Sequence, residues 1–390
     1  MQFNLKLTEK GAIYVTSQQP VDIHGKPYNR SLLVGVLLIG TFCTILNQTL
    51  LTTALPTLMK EFDISASSVQ WLTTGFLLVN GIMIPISAWL INKFSSKKLY
   101  ITAMSTFLIG TIICFVAQDF GMLLTGRLVQ AAGVGVSMPL LQTIMLSIFP
   151  PEKRGAAMGT TGIVIGLAPA LGPTLSGWII DSYTWRDLFG MVIPIVVLVL
   201  ILASFLMKNV IQLSNPSIDV LSVILSTLGF GSLLYGFSSV GDKGWGSPQV
   251  YGFLIVGAIV LCLFTYRQLH LEQPFLELRV FKSKVFTVAA ILSGVTNMAM
   301  IGAEMVLPLY IQNIRGESAF HSGLMLLPGA LVMGLMMPVT GRIFDKIGAR
   351  RLAITGMFIL TAATLPFAFL TKATPIIYII VLYAIRMFGI

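Results

Sequence analysis

Charge is scarce in this chain: Asp, Glu, Lys and Arg together supply 10% of its 390 residues, against 55% hydrophobic, and the mean hydropathy is +0.88. That balance excludes a soluble enzyme. Cysteine is scarcer still. Cys43, Cys114 and Cys262 lie far apart in apolar runs; without metal-ligand spacing they read as packing residues. A G-x-x-x-x-G-K-[ST] phosphate loop is missing, which argues against a built-in ATPase, and so is an H-E-x-x-H metal pair. Nothing in the sequence calls for a cofactor. Residues 1–30 lack the basic-then-apolar order of a cleaved signal peptide and read as a polar cytoplasmic arm.

What the chain has instead is long apolar runs. A helix needs about 20 apolar residues to cross the hydrocarbon core. Such runs begin near Ser31, Val69, Leu99, Phe120, Gly155, Leu188, Ile218, Val250, Val285, Ser322, Leu352 and Pro375. The expected fold is an all-α polytopic membrane protein. The net charge of +10 is topological and does not point to nucleic acid. Basic residues gather between alternate runs, as at Lys93, Lys97 and Lys98, at Lys153 and Arg154, at Arg279, Lys282 and Lys284, and at Arg350 and Arg351. The opposite loops carry only Lys60, Arg186, Lys243, Arg315 and Lys372. By the positive-inside rule the N-terminus is cytoplasmic.

At membrane depth the sequence places Arg127, Glu304 and Arg386. Ionisable side chains are costly there and mark function by default. Glu304 is the one carboxylate deep in an apolar run, and burial favours the uncharged form of a carboxyl group. It suits proton exchange against a cationic drug; a residue reaching toward outer water, or a structural partner for an arginine, would sit there equally. Arg127 and Arg386, in the fourth and twelfth runs, are fixed cations for proton coupling, or charges neutralised by backbone carbonyls to lock helices. Asn47, Gln48 and Thr49 in the first run, with Gln130 beside Arg127, can hydrogen-bond a substrate or a neighbouring helix. Met300 suits a polarizable hydrophobic cavity or ordinary packing.

The fifth run is rich in small residues at helical spacing, which lets two backbones approach closely in a bilayer. Gly162 and Gly166 are one turn apart, and the string Ala168-Pro169-Ala170-Leu171-Gly172-Pro173, then Gly177, resembles the antiporter motif of drug:proton exporters in the major facilitator superfamily. The loop GRIFDKIGARR, Gly341–Arg351, is similar to the superfamily's G-x-x-x-D-K/R-x-G-x-K/R-K/R pattern through Gly341, Asp345, Gly348 and Arg350. Ala88–Lys98 is a degraded copy, with Asn92 where the Asp should be and Ser95 where the Gly should be. Arg127, Gln130 and Gly133 resemble the fourth-helix pattern R-x-x-Q-G-x-G, with Ala131 replacing the first Gly. The stretch LEQPFLELRVFKSKVF resembles the connector of the fourteen-helix EmrB/QacA-type branch.

The resemblance implies the major facilitator fold, two pseudo-symmetric helix bundles plus two extra central helices. It divides the chain into an arm at 1–30, a six-helix bundle at 31–207, two additional transmembrane helices at 208–270, and a partial C-terminal bundle at 271–390 that stops inside its twelfth helix. It also implies export of hydrophobic or cationic antimicrobials, lincosamides among them, in exchange for protons. The expected partners are a small-molecule drug, protons and the lipid bilayer, for a monomer in a bacterial inner membrane, with no metal. A transporter of another substrate, such as a tetracycline–metal complex or a metabolite, would share these motifs, and a truncated non-transporting membrane protein would share the fold.

Members of this branch often carry an acid before a T-x-x-N-V-A-L-P pattern in the first helix. Here Leu46–Pro56 offers Asn47 and Gln48 instead, so either Glu304 takes the proton alone or coupling is unusual. Asp345 would stabilise one access state by meeting an arginine or a helix N-terminus; alternatively its loop sets topology only, through Lys346, Arg350 and Arg351. Gly166, Pro169, Gly172, Pro173 and Gly177 complete the conformational motifs.

Overall fold

In the computed structural model the described residues are 5–7, 13–15, 20–23, 25–214, 219–272, 274 and 276–390. Up to residue 19, and at Pro151, Glu152, Ala156, Ala170, Pro338, Arg342, Asp345 and Lys346, only the backbone is described. The first half comprises α1 (Arg30–Phe62), α2 (Ala66–Lys93), α3 (Ser96–Phe115), α4 (Phe120–Ile148), α5 (Pro151–Ser182) and α6 (Asp187–Leu206). Next come α7 (Val220–Lys243) and α8 (Pro248–His270), then α9 (Lys284–Ile314), α10 (Ala319–Gly341), α11 (Ile347–Phe369) and α12 (Ile376–Gly389). Among the described residues, 11 of these helices are long and apolar enough to span a membrane, as the apolar runs require. Two short strands were not foreseen: Leu5–Leu7 and Ile13–Val15 pair antiparallel in the N-terminal arm.

Local chemistry sets the helix ends. Asn29, Ser65, Asp119, Asp219, Ser283 and Ser318 each accept a backbone N–H from the first turn of the following helix, the role for which short polar side chains are favoured. Proline opens α5 and α8, where its missing N–H costs nothing. Between α10 and α11 the helical path is broken only at Gly348, with φ 78 and ψ 163. That backbone region is open to glycine alone, which explains the glycine of the loop pattern. Ser95, its counterpart before α3, sits at φ −62 and needs none.

The first half forms one core. α1 packs against α5 and α6, α3 against α4 and α6, and α2 against α4. The α7–α8 hairpin docks on α2 through Trp71 against Tyr235, whose ring centroids lie 5.9 Å apart. At its other end a polar lock ties the hairpin to the connector. Arg267 donates twice to Asp219 at 3.0 Å, Gln268 donates to Ser222, and Gln268 accepts from Leu276 N at 2.9 Å.

The two halves meet chiefly along α5 and α10. Gly177 faces the backbone of Ala319 and Phe320, and Gly323 faces that of Pro173 and Thr174, each so close that a Cβ would overlap it. Thr174 also donates to Gly323 O at 3.1 Å, Phe320 N donates to Asp181 at 3.0 Å, and Gln312 of α9 donates to Thr53 O of α1 at 3.1 Å. The end carrying Ser182 and Ala319 is therefore closed. Toward the opposite end, a Cβ at Gly155, Gly159 or Gly341 would meet nothing within 4 Å.

Candidate functional site

Two buried arginines anchor two polar nodes, one in each half. In the first, Arg127 of α4 is 1% exposed. Its Nη1 donates to Asn47 Oδ1 of α1 and to Gln130 Oε1, both at 2.8 Å. Gln130 in turn donates to Thr111 Oγ1 of α3 at 2.8 Å, and Thr111 donates to Phe107 O in its own helix. The Phe76 ring of α2 lies 4.4 Å from the guanidinium carbon, within the range of a cation–π attraction. All the hydrogen-bonding side chains of this node are neutral apart from the arginine, and Arg127 Nε has no hydrogen-bond partner among the described residues.

The second node joins α9, α11 and α12. Arg386, also 1% exposed, donates through Nε to Thr364 Oγ1 at 3.2 Å and through Nη2 to Ala299 O. Glu304, half-buried on α9, lies within electrostatic reach of Arg386, and Tyr383, 3% exposed, stands one turn before Arg386 on α12. The two nodes are counterparts. Thr111 and Thr364 stand the same number of residues beyond Ser95 and Gly348, the matching positions of the two loops, and each holds its half's arginine, directly or through Gln130. One half carries a carboxylate beside its arginine; the other carries an amide.

The sequence-derived residues thus separate into groups. Asn47, Arg127 and Gln130 come together in the first node, and Glu304 and Arg386 in the second. Thr49 donates to Leu46 O in its own helix at 3.0 Å and packs on Gly172. Gln48 is half-buried, and Met300 packs against the cluster of Leu307, Ile311 and Tyr383. Gly172, Pro173 and Gly177 are buried in the α5 contacts, Gly166 meets Met337 of α10, and Pro169 is half-buried. Asn92 donates to Ala88 O at 2.9 Å, while its backbone oxygen accepts from Ser214 N. Gly341 and Arg350 are exposed, and the side chain of Asp345 lies outside the described residues. Sequence reasoning missed Thr111, Thr364 and Tyr383. The two threonines were findable from their equal offset behind the loops.

Two related helical halves, a buried polar node in each and a close contact between the halves at the Ser182–Ala319 end define, among the described residues, a membrane transporter. The chain belongs to the Major Facilitator Superfamily, which its residues 37–390 match. It is 56% identical over 367 residues to the MFS-type transporter YcnB of Bacillus subtilis, covering 94% of this chain and 78% of the relative. It is 43% identical over 358 residues to the lincomycin resistance protein LmrB of Listeria monocytogenes, covering 92% and 76%. A solved peptide transporter, POT, superposes with a TM-score of 0.66 at 14% identity, over 95% of this chain and 81% of that one, and shares the fold.

Proposed function

We propose that this protein exports amphipathic antimicrobials, lincosamides among them, in exchange for protons, as a monomer in a bacterial cytoplasmic membrane. The N-terminal arm lies in the cytoplasm, so the closed Ser182–Ala319 end faces outward and the described conformation opens inward. One observation carries the reading: Glu304 is half-buried at membrane depth, beside a fully buried arginine, in the half that packs against the first along α5 and α10. An ionisable group kept in that position at energetic cost has to do something with its charge. A charge that a proton can remove is one that a bound drug or a change of access can tip. A single proton charge moving with a 100 mV potential contributes about 2.3 kcal/mol, enough for roughly 50-fold accumulation. Likeness to a protein named for lincomycin resistance supports the substrate class.

The test is proton release from purified protein in weakly buffered detergent on adding lincomycin, and separately a lipophilic cation. Release is expected from the native chain and is expected to vanish in Glu304→Gln, with ligand still bound. Release that persists in the variant would remove Glu304 from the mechanism.

A further inference from the structure

We propose that the connector between α8 and α9 is a phospholipid site: Leu276, Val280 and Phe281 enter the acyl chains of the bilayer, and Lys282 and Lys284 bind the phosphate of an anionic headgroup. The proposal is independent of the substrate and takes from the reading above only that this end of the helices is cytoplasmic. α8 ends at His270 and α9 begins at Lys284, so the segment joining these two membrane helices lies at the level of the headgroups. Its backbone is held on both sides. Arg279 donates to Leu269 O at 3.1 Å and to Leu271 O at 2.7 Å, at the end of α8. Gln268, 0% exposed, accepts from Leu276 N at 2.9 Å, and Thr287 of α9 donates to Phe281 O at 2.7 Å. The lock of Asp219, Ser222, Arg267 and Gln268 takes part in neither polar node; what it fixes is this segment.

Held in this way, the segment presents apolar side chains outward. Leu278–Lys282 is a 3₁₀ turn with no buried residue, and Leu276, Val280 and Phe281 are 38%, 40% and 49% exposed. Apolar groups ordered against water gain nothing that offsets the lost entropy; in the headgroup layer the same groups reach acyl chains. The Phe281 ring stands edge-on to Phe286 in the first turn of α9, with centroids 5.2 Å apart, so the apolar surface continues into a membrane helix. The charge beside it selects the lipid. Lys282 and Lys284 are exposed and join no ion pair among the described residues. Glu277, the acid just before them, is itself paired with Arg279 at 3.5 Å. Two free ammonium groups next to an apolar turn match an anionic headgroup at the membrane surface. Because Phe281 O accepts from Thr287, a lipid held here also holds the cytoplasmic end of the helix that carries Glu304.

The experiment is binding of a fluorescent phosphatidylglycerol to the purified full chain in mild detergent. Unlabelled phosphatidylglycerol, phosphatidylcholine with the same acyl chains, and inorganic phosphate serve as competitors. Phosphatidylglycerol is expected to compete about tenfold better than phosphatidylcholine, and phosphate alone not at all. Lys282→Gln with Lys284→Gln should weaken binding about tenfold, and Phe281→Ser should weaken it several-fold through lost apolar contact. Lys98→Gln with Lys153→Gln, which removes two exposed cations from the same side, should leave it within about twofold. Equal losses from the two lysine pairs would show a general attraction to the basic side and overturn the site. Phosphatidylcholine competing as well as phosphatidylglycerol, or displacement by phosphate alone, would overturn it too. If the double variant unfolds earlier than the parent, Lys284→Gln alone decides, with about threefold weaker binding expected. The assay involves neither drug nor proton, so its failure leaves the reading of Glu304 standing.

Discussion

Gly177→Val is expected to reduce transport to about a fifth of the native rate or less, because the end of the molecule that is closed in this structure could no longer close. A Cβ at Gly177 would lie 2.6 Å from Phe320 Cα and 2.7 Å from Ala319 C, with Ala319 O nearer still. Those obstacles are backbone atoms. They cannot rotate away, so α5 and α10 must part, and with them go the bonds from Phe320 N to Asp181 and from Thr174 to Gly323 O. Overpacking typically costs about 1–3 kcal/mol; converted to populations, that is roughly a 5- to 150-fold shift away from the closed state. Gly166→Ala is the matched control. Its nearest neighbour is Met337 Sδ at 2.9 Å, the movable part of a flexible side chain, so transport should stay near the native rate. Reactivity of a Gln312→Cys thiol with an impermeant reagent on the Ser182 side should rise with Gly177→Val and not with Gly166→Ala. Native transport by Gly177→Val would show that this contact does not gate the cycle.

The helices of this protein were legible because spanning runs of such hydropathy leave little other choice, and the small residues of α5 announced a close contact before any partner was visible. What the sequence hid was rotation. Helices in this chain are apolar nearly all round, so periodicity did not tell how α9 is turned about Glu304, or that Arg127 is held by Asn47 of α1 and, through Gln130, by Thr111 of α3. Thr111 and Thr364 were hidden for a different reason. Each donates to a carbonyl of its own helix, as threonines in membrane helices ordinarily do, and only tertiary structure reveals that the same oxygens also accept from Gln130 and Arg386. Gly348 was visible in the sequence as part of a loop pattern, yet its reason, a backbone angle open to glycine alone, belongs to the fold. The degraded copy of that loop reads differently in three dimensions as well. Asn92 turns back on its own helix, and the segment after α6 does the joining instead: Ser214 N donates to Asn92 O, and Asn209 Oδ1 accepts Lys97 N at the start of α3.

Asn47→Leu is expected to destabilise the protein more than any other single change in the first node. It removes one of the two side-chain oxygens that Arg127 Nη1 uses, inside a site where the guanidinium is 1% exposed and Nε already lacks a hydrogen-bond partner. A hydrogen bond to a charged group is worth about 1.5–3 kcal/mol, and the charge cannot turn to water for a replacement. The fall in unfolding temperature is readable with a thiol-reactive dye, since Cys43 and Cys114 are 2% and 0% exposed and react only on opening. Asn47→Asp should unfold no earlier than the native protein, because a carboxylate at that position would face Nη1 with the opposite charge. The pair Asn47→Leu with Arg127→Met should recover part of the loss, since the under-paired buried charge is then gone while Gln130 Oε1 loses its donor. Transport should not recover with it. That split would separate holding the helices together from maintaining a fixed cation in the half opposite Glu304, and an Asn47→Leu protein as stable as the parent would mean that Arg127 finds its compensation elsewhere.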